Sequence, residues 1–213
     1  MSSDSARRGP GRPPASPRGE VERVAVDLMQ RHGYDHVSVQ AIVEAAGIGR
    51  TTFFRYFGSK PGVIWYAFDD TIEALGTRLG AAPQDTDQLD EVRRAVVAST
   101  RSAVLSSGVW LERFELLDTS PDLRSGAYEH WERWKQVIAR WLAGRAGGSL
   151  EDVAPIAIAS ACQGVFVAEL RNWAHGGDSG ETFLERLDRN LATVMTPMKV
   201  LLPTMLPHGE SLP

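Results

Sequence analysis

The segment Ser38–Lys60, SVQAIVEAAGIGRTTFFRYFGSK, constrains this chain more than any other stretch. Two short helices are written there, joined by a corner flanked by glycine. Ser38 is placed to cap the first, and Val39, Ile42, Val43 and Ala46 give it an apolar face at spacings of three and four. Gly47-Ile48-Gly49 predicts the turn, because glycine tolerates the positive φ that ends a helix and Ile48 can plug the corner. The second helix, Arg50 to Phe57, is roughly 12 Å long and too short to persist alone. Phe53 and Phe57, four apart, point inward and leave Arg50, Thr51, Thr52, Phe54, Arg55 and Tyr56 outside. A short helix that buries two aromatics and presents Arg, Thr and Tyr outward suits the major groove of DNA.

The stretch from about Arg18 to Tyr66, where AIVEAAGIGRTTFFRYFGSK follows a helix ending RHGYDHVSV, resembles the DNA-binding domain of the TetR family of transcriptional regulators. The resemblance implies a third helix that reads the major groove, braced by the two before it. It also implies a larger C-terminal part that binds a small-molecule effector and pairs two chains. Residue by residue, it implies Gln40, Arg50, Thr51 and Phe54 nearest base edges, with Ser38, Thr52, Tyr56 and Lys60 facing phosphates and Arg55 on the same exposed helix. Two positions depart from the family pattern. Phe54 stands where Tyr is usual and lacks the hydroxyl that reaches a phosphate, which favours contact with a thymine methyl. Gly49 stands where Ser or Thr is common and offers no side-chain oxygen to cap the recognition helix. TTFFRYFGSK followed by VIWYAFDD, and the later ERFELLDTSPDLRSGAYEHWERW, resemble the branch associated with mycofactocin biosynthesis. That resemblance implies a small apolar or acyl-CoA-like effector, for whose phosphates the C-terminal part offers Arg101, Arg113, Arg124, Arg133 and Arg171 at scattered spacings.

Charge agrees with a DNA-binding head. The net charge of −4 would argue against nucleic acid if it were evenly spread. Residues 1–60, however, hold nine Lys and Arg against six Asp and Glu, a balance of +3, so the remainder carries −7. The lone Cys162 cannot form an intrachain disulfide; a small buried residue in a reducing cytoplasm is the plain reading, and a redox sensor the rival. No apolar run follows the charged N-terminus, and the apolar stretch Ala154–Ala168, interrupted by Pro155, Ser160 and Gln163, reads as too short to span a bilayer. A cytoplasmic protein with no membrane partner is the expectation.

The pattern predicts an all-α chain of about nine helices at 213 residues, in two packed helical units. Residues 1–17 read as a disordered basic arm, 18–66 as the helix-turn-helix domain, 67–202 as the effector-binding and dimerisation domain, and 203–213 as a flexible tail. Within the arm, Gly9-Pro10-Gly11-Arg12-Pro13-Pro14 resembles the core of an AT-hook, in which Arg12 would enter a narrow minor groove; a solvated tail of unspecific attraction is the alternative. The arm also sustains a second functional reading, an architectural DNA-binding protein that needs no effector.

Helices are expected over about Pro17–His32, Gln88–Ser106, Trp110–Leu117, from Thr119-Ser120-Pro121-Asp122 to about Leu142, about Leu150–Ala174, and about Glu181–Leu202 with a bend or early end at Pro197. Trp110, Phe114, Leu117, Trp131, Trp134, Gln163 and Phe166 are candidates for an apolar ligand cavity, with core packing as the rival reading. Glu112, Glu115, Asp118, His130 and Asn172 are candidates for its polar rim. Ala157, Ala161, Gly164 and Ala168 recur every three or four residues and would let a neighbouring helix approach closely. Phe183, Leu184, Leu187 and Leu191 form an amphipathic stripe. Together these two sets would close a twofold four-helix dimer interface, unless internal packing claims them. No Gly-rich phosphate loop, paired metal-ligating histidines or nucleophile elbow is present. The chain reads as a non-enzyme without cofactor or metal, whose partners are double-stranded operator DNA, a small-molecule effector and a second copy of itself.

Overall fold

The computed structural model describes residues 17–149 and 152–201. The arm to residue 16, Arg12 within it, and the tail 203–213 lie outside the described residues. Regular structure among the described residues is helical throughout: α1 (Pro17–His32), α2 (Val39–Ala46), α3 (Arg50–Phe57), α4 (Lys60–Gly80), α5 (Gln88–Ser106), the single turn α6 (Glu112–Glu115), α7 (Pro121–Ala146), α8 (Val153–Gly176) and α9 (Gly180–Met198). Short 3₁₀ turns cover Tyr34–His36 and Leu116–Asp118.

Helix starts follow local chemistry that the sequence carries. Ser38, Ser59 and Ser179 each accept a hydrogen bond from a backbone N–H three residues on, at 3.1 Å, and Asp87 accepts from Leu89 and Asp90. Two ends differ from expectation, and a third is the early end expected at Pro197. The helix expected over Trp110–Leu117 contracts to α6 and a 3₁₀ turn, because Trp110, Leu111, Arg113, Phe114 and Leu116 are all buried and anchor the segment on more than one side. α7 continues past Leu142 and through the exposed Gly144 to Ala146, and stops where Gly147 adopts a left-handed φ of 67°. α9 ends at Met198, one residue after Pro197, which supplies no N–H to extend it.

α4 is the spine: it leaves α3, packs on α1, and continues between α5 and α7, while α8 and α9 complete the bundle. The buried apolar residues form one cluster from Val21 on α1 to Met195 on α9. The two units thus share a core, and the boundary expected at residue 66 falls inside α4.

α8 corrects the expectation drawn from Ala154–Ala168. Ser160 and Gln163 do not interrupt it, Pro155 sits harmlessly in its first turn, and at 24 residues it is long and apolar enough, by length and composition, to cross a membrane. Its inner face, including Ile158, Ala159, Cys162, Phe166, Leu170 and Trp173, is instead packed in the bundle, although only 39% of its most apolar stretch is buried. Cys162 is wholly enclosed, 3.6 Å from the Met195 sulfur, and burial pushes its thiol up to about 12.

Candidate nucleic-acid interface and ligand slot

The corner between α2 and α3 is set by backbone geometry. Gly47 takes a φ of 65°, the amide of Ile48 returns to the Val43 carbonyl at 3.0 Å, and α3 starts at once without a side-chain cap on Gly49. Phe53 and Phe57 are buried with rings 5.3 Å apart, and Phe57 meets Tyr66 of α4 at 5.2 Å. This aromatic root fixes α3 about its axis. Arg50, Thr51, Phe54 and Arg55 are consequently exposed, and Thr52 and Tyr56 half-buried. Arg50 lies 5.8 Å from the Phe54 ring, so cation and apolar surface occupy one face. Gln40 and Ser38, on and just before α2, are exposed as well. Gln40 donates to Glu44 at 2.6 Å, and the Ser38 hydroxyl is engaged as the α2 cap.

Lys60 departs from the expected phosphate contact. Its ammonium turns inward, donates to the carbonyls of Tyr34 at 2.8 Å and Val37 at 3.0 Å, and lies 4.0 Å from the centre of the Tyr34 ring. Burial lowers its pKa, against the opposing pull of Asp35 and Asp122. The reason is local: in the segment between α1 and α2 the Tyr34 carbonyl accepts from the Val37 N–H at 3.2 Å, and Lys60 adds a second donor to it while reaching the Val37 carbonyl as well. Lys60 is a clamp on the corner. Gly62 is equally structural, since a Cβ at that position would lie 1.9 Å from the carbonyl oxygen of Phe57.

In the bundle, the expected ligand residues divide. Phe114, Leu117 and Trp131 line a slot of about 280 Å³ between α6, α7 and α8, together with Ala127, Val167, Leu170 and Ala174. Arg124 and Arg171 complete its lining. Trp134 and Phe166 are instead fully buried core, with rings 5.4 Å apart, and Gln163 donates to the Trp131 carbonyl at 3.0 Å. Trp110 belongs to a separate open cleft of about 650 Å³ between α1, α4 and α5, whose largely apolar lining, with Tyr66, Ala67, Ala103 and Val109, also carries four serines and the charged Arg18, Glu22, Arg23 and Asp70. Helical spacing places these aromatics on inner faces but cannot say which of them another ring covers.

The five candidate arginines also sort by partner. Arg101 pairs with Glu181 at 2.7 Å, Arg133 with Asp69 at 2.5 Å, and Arg113 is buried against Glu22. Only Arg124 and Arg171 share the slot, 47 positions apart in sequence and so invisible as a pair there. Among the candidate rim residues whose side chains are described, Glu112, Glu115, His130 and Asn172, none lines it. His130 stacks on Trp65 at 4.3 Å and its Nδ1 lies 2.7 Å from Asp69, while Glu115 accepts from Gln30 at 3.0 Å. Asn172 is exposed, and burial raises the pKa of the half-buried Glu112 carboxyl. The Asp118 side chain lies outside the described residues.

The dimer candidates separate as cleanly. Phe183, Leu184, Leu187 and Leu191 are all at or below 1% exposed, used up by packing of α9 on α5 and α8 within the chain. They cannot form an interface. Gly164 and Ala168 are exposed and Ala157 and Ala161 half-buried on the outer face of α8, which also carries Val153 at 81% exposure.

Two buried carboxylates go unread in the sequence: Glu169 on α8, held by Arg186 and Asn190, and Glu22. Glu22, in the apolar face of α1 between Val21 and Ala25, is 1% exposed and pairs with the wholly buried Arg113. A carboxylate at the spacing of core positions was the available signal; its partner, 91 residues away, was not.

Comparison with known proteins agrees with this division. Residues 23–64 match the family model described as bacterial regulatory proteins, tetR family, and residues 86–199 match the MftR C-terminal domain. A protein from Mycobacterium tuberculosis named as a mycofactocin biosynthesis transcriptional regulator, MftR, is 29% identical over 153 residues, covering 72% of this chain and 77% of its own length. The HTH-type transcriptional regulator TcmR of Streptomyces glaucescens is 29% identical over 160 residues, 71% of each chain. Among solved structures, the fatty acid degradation regulator FadR from Bacillus halodurans superposes with a TM-score of 0.59 at 15% identity, covering 87% of this chain and 96% of its own. At that identity the likeness bears on fold alone.

Proposed function

The chain belongs to the TetR family of bacterial regulatory proteins and carries an MftR-type C-terminal domain, and from that premise we propose that it is a dimeric, effector-released repressor acting in the cytoplasm. The observation that carries the DNA-binding part is the exposed set Arg50, Thr51, Phe54 and Arg55 on a helix rotationally fixed by buried Phe53 and Phe57. Arg50 and Thr51 read base edges, Phe54 meets a thymine methyl, and Ser38, Thr52 and Tyr56 position the helix on phosphates. Gln40 lies beside them on α2.

Dimerisation uses the outer face of α8, where Ala157, Ala161, Gly164 and Ala168 leave an apolar helix only partly covered. A twofold partner there places two reading helices on one side of the duplex, so the operator is a palindrome with half-sites about one helical repeat apart or more. The effector enters the slot between α6, α7 and α8, its apolar part against Phe114, Leu117 and Trp131 and an anionic group near Arg124 and Arg171. This favours a small apolar acid or an acyl-CoA-like molecule. Ligand binding and DNA binding are reciprocally coupled through the shared core along α4.

The test is selection of bound fragments from random-sequence duplex DNA at physiological salt. Enrichment of a two-half-site palindrome is the expected result. Enrichment of A·T runs without a palindrome, or of nothing, overturns the reading.

A further inference from the structure

The segment Arg113–Ser120 lies between the slot and the DNA-binding unit and touches both. Phe114 and Leu117 line the slot. From the same segment, Arg113 pairs with Glu22 of α1, Glu115 accepts from Gln30 at the far end of α1 at 3.0 Å, and the buried Ser120 hydroxyl donates to Asp35 in the following 3₁₀ turn at 2.9 Å. Arg113 is the centre of these contacts. Its Nε donates to the Trp110 carbonyl at 2.9 Å, Nη1 to the Ile64 carbonyl of α4 at 3.1 Å, and Nη2 to Glu22, whose other oxygen accepts from the Tyr66 hydroxyl. A guanidinium and a carboxylate enclosed this completely make a contact that is either kept or lost, because a half-open arrangement strands charge in the interior.

The slot volume bears on what a ligand must do. At about 280 Å³ it lies just under the roughly 300–1,000 Å³ of ordinary ligand cavities, so a large occupant either extends through the slot's open side or displaces a wall. α7 and α8, with 26 and 24 residues, are held along their length; α6 and the 3₁₀ turn after it are two single turns. Phe114 and Leu117, the slot wall on this short segment, adjoin the residues Arg113 and Glu115 that hold α1.

We propose that Arg113 is the positioning residue through which occupancy of the slot reaches the DNA-binding unit. Displacement of Phe114 and Leu117 withdraws Arg113 from Glu22 and Glu115 from Gln30, and α1 is released from the bundle. This route runs directly from α6 to α1, separate from any movement of α4, and it rests on the effector reading given above.

The test compares wild type with Glu22→Gln, which keeps the shape and removes the charge, and with Gln30→Ala, an exposed change that the fold tolerates. Palmitoyl-CoA is the probe, its binding followed by tryptophan fluorescence, and affinity for the selected duplex is measured with and without it. Wild type should lose DNA affinity by on the order of tenfold or more with the probe, and Glu22→Gln by less than about twofold, with Gln30→Ala between them. A ratio in Glu22→Gln within about twofold of wild type, with the probe still bound, overturns the inference and leaves the effector reading standing. Should palmitoyl-CoA fail to bind wild type, the acyl-CoA form of the effector reading fails, and amide hydrogen exchange decides the inference alone. Duplex DNA should then raise protection of residues 112–118 in wild type and not in the variants, and an equal response in all three overturns it. Should Glu22→Gln not fold, Gln30→Ala decides by the same readouts.

Discussion

The DNA-reading face and the ligand slot are built in opposite ways. The first stands on two helices of 8 residues each, and its working groups are those left over once Phe53 and Phe57 have gone inside. The second lies among helices of 26 and 24 residues, and it is the space left between Phe114, Leu117 and Trp131 on one side and Val167, Leu170 and Ala174 on the other. One is a surface defined by subtraction, the other a gap defined by packing. A surface of the first kind depends on a rigid backbone, because the short helix has little to hold its angle. A gap of the second kind depends on the volume of each wall residue.

That contrast is open to attack first at Gly62. A methyl there would meet the Phe57 carbonyl, so Gly62→Ala should destabilise the DNA-binding unit by roughly 5 kcal/mol or more and abolish sequence-specific binding. Thermal unfolding and DNA titration check this together; a stable variant that still binds would mean the α3–α4 corner is not rigid. In the bundle, Phe166→Ala should cost about 3–5 kcal/mol in chemical denaturation, the loss of a wholly buried ring. Trp131→Ala, at a half-buried wall of the slot, should cost less, about 1–2 kcal/mol, while weakening the probe far more. Equal losses of stability would erase the distinction between core and slot.

The two regions also differ in how far the sequence disclosed them. α1 and α3 appear over the residues expected, since Ser38, Gly47 and the four-residue spacing of Phe53 and Phe57 are local signals acting over a turn or two. Arg50, Thr51, Phe54 and Arg55 are exposed as the periodicity requires. Legibility stops where a partner is distant. The spacing of Phe183, Leu184, Leu187 and Leu191 says that one face of α9 is covered, but not whether by α5 and α8 or by a second chain. Trp110 and Trp134 resemble Trp131 in every local respect, and only the tertiary arrangement leaves Trp131 at the slot. Glu22 carried a signal that chemistry could use, a carboxylate among core positions, yet Arg113 is found only in three dimensions.

At the surface itself the expected effects are smaller and fall on affinity. Arg50→Ala should weaken operator binding by about 1–3 kcal/mol and relax preference at one position of each half-site, as loss of a base contact does. Uniform weakening on all duplexes would make Arg50 a phosphate contact and shift the reading role toward Thr51 and Phe54.

Lys60 sharpens the comparison most finely, because its position in the family motif and its geometry disagree. A lysine on a phosphate contributes about 0.9 per chain to the slope of log affinity against log salt, through release of condensed counterions. Here the ammonium is committed to the Tyr34 and Val37 carbonyls, so its charge serves the protein's own backbone. Lys60→Ala should therefore leave the salt slope unchanged while lowering the stability of the DNA-binding unit by about 1 kcal/mol, from loss of those two bonds. A slope reduced by about 0.9 per chain at undiminished stability would mean that DNA draws the side chain out. The clamp would then be a contact that the unbound protein merely stores.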